Sequence, residues 1–192
     1  MIHGEVSLSD EQWAEDLFAR LFDNGNGVAD SVLFLNLGLF REYRGKTAEA
    51  IELTRQGLRQ FPDDIGLRNN LAWYLACYSS EFDEAEQTAR ALIREIGEHP
   101  QLLDTLAVIY LQMQEPGEAL AVLESIQNDQ REFGHLLHLA ECHRGMGNHD
   151  EAQRFLLVAN NSVPESLSPR DRAAFEELRR AYPASDSIGA TP

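Results

Sequence analysis

The chain repeats itself with a period close to 34 residues, and that period constrains its fold more than any other feature. A leucine followed by a small residue recurs at Leu37-Gly38, Leu71-Ala72, Leu106-Ala107 and Leu139-Ala140, in steps of 34, 35 and 33 residues. A Glu-Ala pair follows each at Glu49-Ala50, Glu84-Ala85, Glu118-Ala119 and Glu151-Ala152, with Leu-to-Glu offsets of 12, 13, 12 and 12. Each residue type is common, so one match carries little, but four in phase are not accidental. A fixed period of this length is the signature of a stacked repeat architecture, in which each unit buries its apolar face only against its neighbours.

The residue types explain what each unit is. The apolar spacing predicts two antiparallel helices per unit, giving an all-α chain. Gly38, Ala72, Ala107 and Ala140 fall on the first helix of each pair, and Ala50, Ala85, Ala119 and Ala152 on the second. Small side chains there let helix axes approach toward the lower end of the usual range of roughly 8–10 Å. Breakers separate the two helices at Arg44-Gly45-Lys46, Glu115-Pro116-Gly117 and Gly145-Met146-Gly147-Asn148. The second unit uses Tyr78-Ser79-Ser80 instead, which carries the extra residue of the 13-residue offset. Ser80 is expected to cap the following helix, with Asp83 three residues on.

The pattern resembles the tetratricopeptide repeat. The first unit carries Phe34, Leu37-Gly38, Ala50, Gly57 and Pro62, and the fourth Leu139-Ala140, Gly147, Ala152, Ala159 and Pro164. The second holds Asn69-Asn70-Leu71-Ala72-Trp73, similar to bacterial members, and the third Leu106-Ala107, Tyr110 and Ala119. Arg41 and His143 depart from the family, which usually has an aromatic at those positions, and the second unit ends late, at Pro100. The resemblance spans about residues 29–164 and implies a right-handed superhelix of four helix pairs, near 28–63, 64–99, 100–131 and 132–166.

The ends read as caps, which repeat arrays need to hide their last apolar faces. Ser9 and Gln12 form a capping box for a helix over Ser9–Asp23, with Trp13, Leu17, Leu21, Phe18 and Phe22 as its apolar stripe. Asn24-Gly25-Asn26-Gly27 breaks it, so residues 1–27 form a cap and linker. A second reading of the same stripe is a self-association surface giving a homodimer. At the other end Ser168 is an N-cap, Pro169 suits the first helical turn, and Phe175, Leu178 and Tyr182 pack back over residues 167–183. Residues 184–192 are small and polar and read as a disordered tail.

Charge bounds the partners. The chain has 32 acidic against 16 basic residues, a formal charge of −16. Nucleic acid and anionic membrane surfaces are poor partners for such a balance. The acidic surface is read first as solubilising and second as an attraction for a basic partner. Neither a membrane-spanning run nor a signal-peptide pattern is present, so a cytoplasmic location is the default expectation. Only one of the bases, Lys46, is lysine, a skew that points to a GC-rich bacterial genome. Cys77 and Cys142 lie within apolar helical runs and read as buried small hydrophobes, not a disulfide framework.

The resemblance implies that the first helix of each pair lines a concave surface that binds a protein or peptide. Read by helical register, that surface holds Leu35, Asn36, Leu39, Tyr43, Asn69, Asn70, Trp73, Asp104, Thr105, Val108, His138, Glu141 and Arg144. Leu35, Leu39, Tyr43 and Trp73 supply an apolar floor, and Asn69 and Asn70 suit an extended peptide backbone. The family's chaperone-tail binders clamp a carboxylate with lysines, an arginine and asparagines. Here only Asn70 matches, with Leu35, Leu39, Gln101 and Thr105 at other clamp positions, so that role is not expected. The reading is thus an adaptor or scaffold without enzymatic activity or cofactor. A secretion-type chaperone is the alternative, on acidic charge, small size and the Ala140-Glu141-Cys142 run.

One constellation is enzyme-like. His135, His138 and Cys142, spaced by three and four residues, share a helical face and are a candidate zinc set for a metal-dependent enzyme or sensor. The competing reading, which is favoured, puts Cys142 in the core and the histidines partly in solvent. Glu49, Glu84, Glu118 and Glu151 recur at second-helix N-termini, where the helix dipole favours negative charge, so they are structural. No phosphate-cradling Gly-rich loop or nucleophile elbow is present.

Overall fold

The computed structural model describes residues 30–183. The expected N-terminal helix and the residues after Pro183 lie outside the described residues. Between them run α1 (Ser31–Tyr43), α2 (Thr47–Gln60), α3 (Ile65–Tyr74), α4 (Phe82–Ile96), α5 (Pro100–Gln112), α6 (Pro116–Glu124), α7 (Phe133–Gly145), α8 (His149–Ala159) and α9 (Pro169–Ala181). The described chain is all-α, and α1/α2, α3/α4, α5/α6 and α7/α8 are packed pairs. No helix among the described residues is long and apolar enough to cross a membrane.

Local chemistry sets the helix ends. The carboxylates of Asp30 and Asp64 accept backbone N–H donors at the starts of α1 and α3, at 3.2 and 2.8 Å. Pro100, Pro116 and Pro169 open α5, α6 and α9, where a missing N–H costs nothing. Glu49, Glu84, Glu118 and Glu151 fall in the first turns of α2, α4, α6 and α8.

The second unit differs from the expectation placed on it. Its extra residue is absorbed inside the first helix, where α3 continues into a π-turn at Leu75–Ser79. Ser80 does not cap α4. It takes a left-handed conformation (φ 59°), and Glu81 is the capping position without a side-chain bond. The third turn also breaks earlier than expected, at Gln114 (φ 63°), because Pro116 and Gly117 already belong to α6.

Small residues are where helices cross most closely. A Cβ on Gly57 would lie 2.9 Å from Leu67 and from Cβ and Cγ of Phe34, so only glycine fits between α1 and α3. The positions where the family usually has an aromatic are filled otherwise. Arg41 pairs with Glu49 at 3.1 Å, and the His143 ring stacks on Phe155 with centroids 5.3 Å apart. The larger core cluster runs from Leu71 and Leu75 through Leu106 and Ile109 to Leu123 and Cys142. A second joins Phe133, Leu137 and Leu156 to Ala174, Phe175 and Leu178 of α9, so α9 covers the last pair.

Candidate functional site: a concave groove crossed by the last helix

The first helices α1, α3, α5 and α7 are successive neighbours along one side. Leu39 and Tyr43 of α1, Asn69, Asn70 and Trp73 of α3, and Asp104 and Thr105 of α5 line two adjoining cavities there. The first, of about 290 Å³, also takes in Glu42, Tyr74, Gln101, Glu132, Gly134, His135 and Ser168. The second, of about 450 Å³, is walled by Leu39, Phe40, Glu42 and Tyr43 of α1 and by Ser166, Leu167 and Ser168. The two share Leu39, Glu42 and Ser168 and form one groove.

Glu42 holds the middle of this groove. It is only 5% exposed, and its Oε1 accepts hydrogen bonds from Trp73 Nε1 at 2.9 Å and from Tyr78 Oη at 2.8 Å. Burial raises its pKa, the two hydrogen bonds offset part of that rise, and the charge of Asp171 adds to it. The sequence reading missed Glu42. The signal was present: it lies seven residues after Leu35 and three after Leu39, on the same helical face.

The fourth unit's share of the groove is already filled. Arg170, at the start of α9, donates to both carboxylate oxygens of Glu141 at 2.7 and 3.1 Å, and to Asp171 at 3.1 Å, with its own side chain 8% exposed. Arg144 pairs with Glu177 at 2.6 Å. The Arg172 guanidinium lies 5.6 Å from the ring centroid of Tyr43, so α9 reaches across to the first unit.

Three residues expected on the groove surface are buried. His138 is enclosed, with a 1% exposed side chain, between two carboxylates: Nδ1 donates to Asp104 at 2.7 Å and Nε2 to Asp171 at 3.1 Å. A carboxylate oxygen accepts, so each ring nitrogen facing one must carry a proton, and the ring is an imidazolium. Burial opposes that charge, but Asp104 and Asp171 outweigh it and raise the pKa to about 10. Burial likewise opposes the Asp171 carboxylate, yet His138 and Arg170 hold its pKa at about 2. Val108 and Thr105 are buried because α5 is packed by both α3 and α7, and the Thr105 hydroxyl donates to the Gln101 carbonyl at 3.1 Å. Asn36 is exposed and Leu35 packs against Gly66 at the start of α3; neither lines these two cavities.

The expected trio of His135, His138 and Cys142 does not form a ligand set. His135 is buried, its Nδ1 accepting the Glu132 N–H at 2.8 Å, and both His138 nitrogens are engaged by carboxylates. The histidines expected partly in solvent are therefore core residues. Cys142 is buried among apolar side chains, and burial pushes its thiol to about 12. No three His, Cys, Asp or Glu among the described residues are grouped as metal ligands.

Paired helices stacked at a 34-residue period around a concave face define a helical-repeat solenoid. The chain belongs to the tetratricopeptide repeat family, whose model matches residues 5–156. Its fold is similar to that of a tetratricopeptide repeat protein from Parabacteroides merdae, at 22% identity and TM-score 0.58, over 90% of this chain and 67% of that one. It is also similar to a thermophilic repeat protein of Thermus thermophilus, at 19% identity and TM-score 0.67, over 79% and 82% of the respective chains. No curated protein matches the chain.

Proposed function

We propose that the protein is a non-enzymatic adaptor that holds a peptide or helix of a partner protein in the groove between α1, α3 and α5. One observation carries this reading: Leu39, Trp73, Asn69 and Asn70 converge on a single open cavity beside a buried carboxylate. An apolar floor with an aromatic and two amides offers side-chain pockets and backbone hydrogen bonds together, which is what an extended or helical segment requires.

The test is an affinity capture from the native organism, with wild type and the Asn70→Ala, Trp73→Ala double variant as baits. Proteins retained by wild type and lost from the double variant are the expected result, with helicity by circular dichroism unchanged. Recovery of the same proteins by both baits would place binding outside the groove.

A further inference from the structure

The groove has one filled carboxylate site and one open one, and the filled site shows what the face accepts. At the α7 end, Glu141 takes the buried Arg170 guanidinium of the chain's own C-terminal segment in a two-point contact. At the α1–α3 end the cavity is lined by Glu42 and Glu132, by the amides of Asn69 and Asn70, and by Trp73, with no lysine or arginine among the described residues of its wall. Asp104 also lines it, but the His138 imidazolium balances that charge, so the net negative potential rests on Glu42 and Glu132.

The acceptors of this open site are incompletely used. Both hydrogen bonds to Glu42 end on Oε1, leaving its Oε2 without a donor among the described residues. The buried Oδ1 of Asn69 has no hydrogen-bond partner among the described residues. A buried acceptor without a donor, as at Asn69 Oδ1, is costly and seldom left so. The Trp73 ring supplies a π-face beside them, which attracts a guanidinium or ammonium. Next to this polar end, across Leu39, the second cavity is walled by Phe40, Tyr43 and Leu167.

We infer that the groove is selective for a partner segment carrying an arginine beside an apolar side chain, the guanidinium entering the cavity against Glu42, Asn69 and Trp73 and the apolar side chain covering Leu39 and Tyr43. This rests on the groove reading above and adds the chemistry of the occupant. The segment repeats in trans what Arg170 does in cis. The association is driven in part by charge, so it weakens with salt.

The probe is a capped octapeptide with a central Leu-Arg, against the same peptide with citrulline, the uncharged isostere, in place of arginine. The readout is the indole N–H resonance of Trp73, which reports on the Glu42 hydrogen bond; Trp13→Phe leaves it the sole tryptophan, since the chain has two. The expected result is a saturable shift with the arginine peptide and at least tenfold weaker binding of the citrulline peptide. Glu42→Gln should bring the arginine peptide to the citrulline level, and Glu132→Gln, at the exposed rim, should weaken it about threefold, whereas Glu52→Gln, exposed on α2, should change nothing. Equal affinity for the two peptides, or no shift with either, would overturn the inference, and so would equal losses in the Glu42 and Glu52 variants. The citrulline comparison needs no variant at Glu42, so it holds if Glu42→Gln fails to fold. The groove reading is judged separately, by the capture experiment: equal binding of both peptides leaves it standing, and unchanged capture by the double variant removes it.

Discussion

Single residues decide how the concave face differs from its amino-acid pattern. His138 stands one residue before the Leu139-Ala140 pair, where register alone points into the groove, yet it carries a buried charge shared with Asp104 and Asp171. That arrangement sets a pH dependence. The imidazole's folded-state pKa is raised from 6.5 to about 10, so its stabilisation is fully present below pH 6.5 and is lost as pH rises through 10. The Asp171 carboxyl is lowered from 3.8 to about 2, so its contribution is present above pH 3.8 and is lost as pH falls through 2. Stability from this cluster should therefore plateau between those windows. Urea midpoints at pH 5.5 and 9.5 should show a loss at the higher pH in wild type that largely disappears in His138→Gln. The variant itself should cost about 3 kcal/mol at pH 5.5, since it leaves the Asp104 carboxylate without its cation and Asp171 with Arg170 alone. A wild-type midpoint unchanged between the two pH values would contradict the assignment. Register identified Leu39, Tyr43, Asn69, Asn70 and Trp73 as surface residues because they lie on the open side of α1 and α3. It misplaced Val108 and His138, whose burial depends on neighbouring units and on α9, which a local pattern does not encode. It passed over Glu42 because an acid at the end of an amphipathic helix ordinarily faces water.

At the scale of the element, close helix crossings and turns account for most of what was legible. The repeat of Leu-small and Glu-Ala pairs is written in side-chain size and dipole preference, both local, and so the helix pairs follow from it. The π-turn at Leu75–Ser79 is less readable, because a one-residue excess can be taken up in a loop or within a helix. Glycines illustrate the difference between a crossing and a free surface. Gly57→Ala forces a methyl to 2.9 Å from Phe34 and Leu67. Overpacking of this kind costs about 1–3 kcal/mol, against a helix-propensity gain of about 0.5–1 kcal/mol, so a net loss is expected. Gly117, early in α6, has open space where its Cβ would go, and Gly117→Ala should gain about 0.5 kcal/mol. Thermal denaturation of the two variants should move the melting temperature in opposite directions. A Gly57→Ala protein as stable as wild type would mean that the packing of α2 against α1 and α3 yields more readily than its geometry implies.

Over the whole molecule, a solenoid is held by nearest-neighbour interfaces, and its ends open independently. The last helix departs from that scheme. Besides burying Phe175 and Leu178 against α7 and α8, α9 reaches the first unit through Arg172 and Tyr43. Arg170 is its anchor, enclosed between Glu141 and Asp171 in a chain whose formal charge is −16. Removing that cation leaves two partly enclosed carboxylates beside each other, and breaking an enclosed ion pair at one partner costs about 3–5 kcal/mol. Arg170→Met keeps an unbranched apolar stem and removes the guanidinium with its charge and donors. Two outcomes separate a local cap from a clasp joining the two ends. If α9 is only a cap, amide hydrogen exchange should quicken in α7, α8 and α9 alone. The Arg172–Tyr43 contact leads us to expect quickening in α1 as well, with α4 and α6 unchanged. Protection of α1 at the wild-type level would restrict α9 to capping the fourth pair.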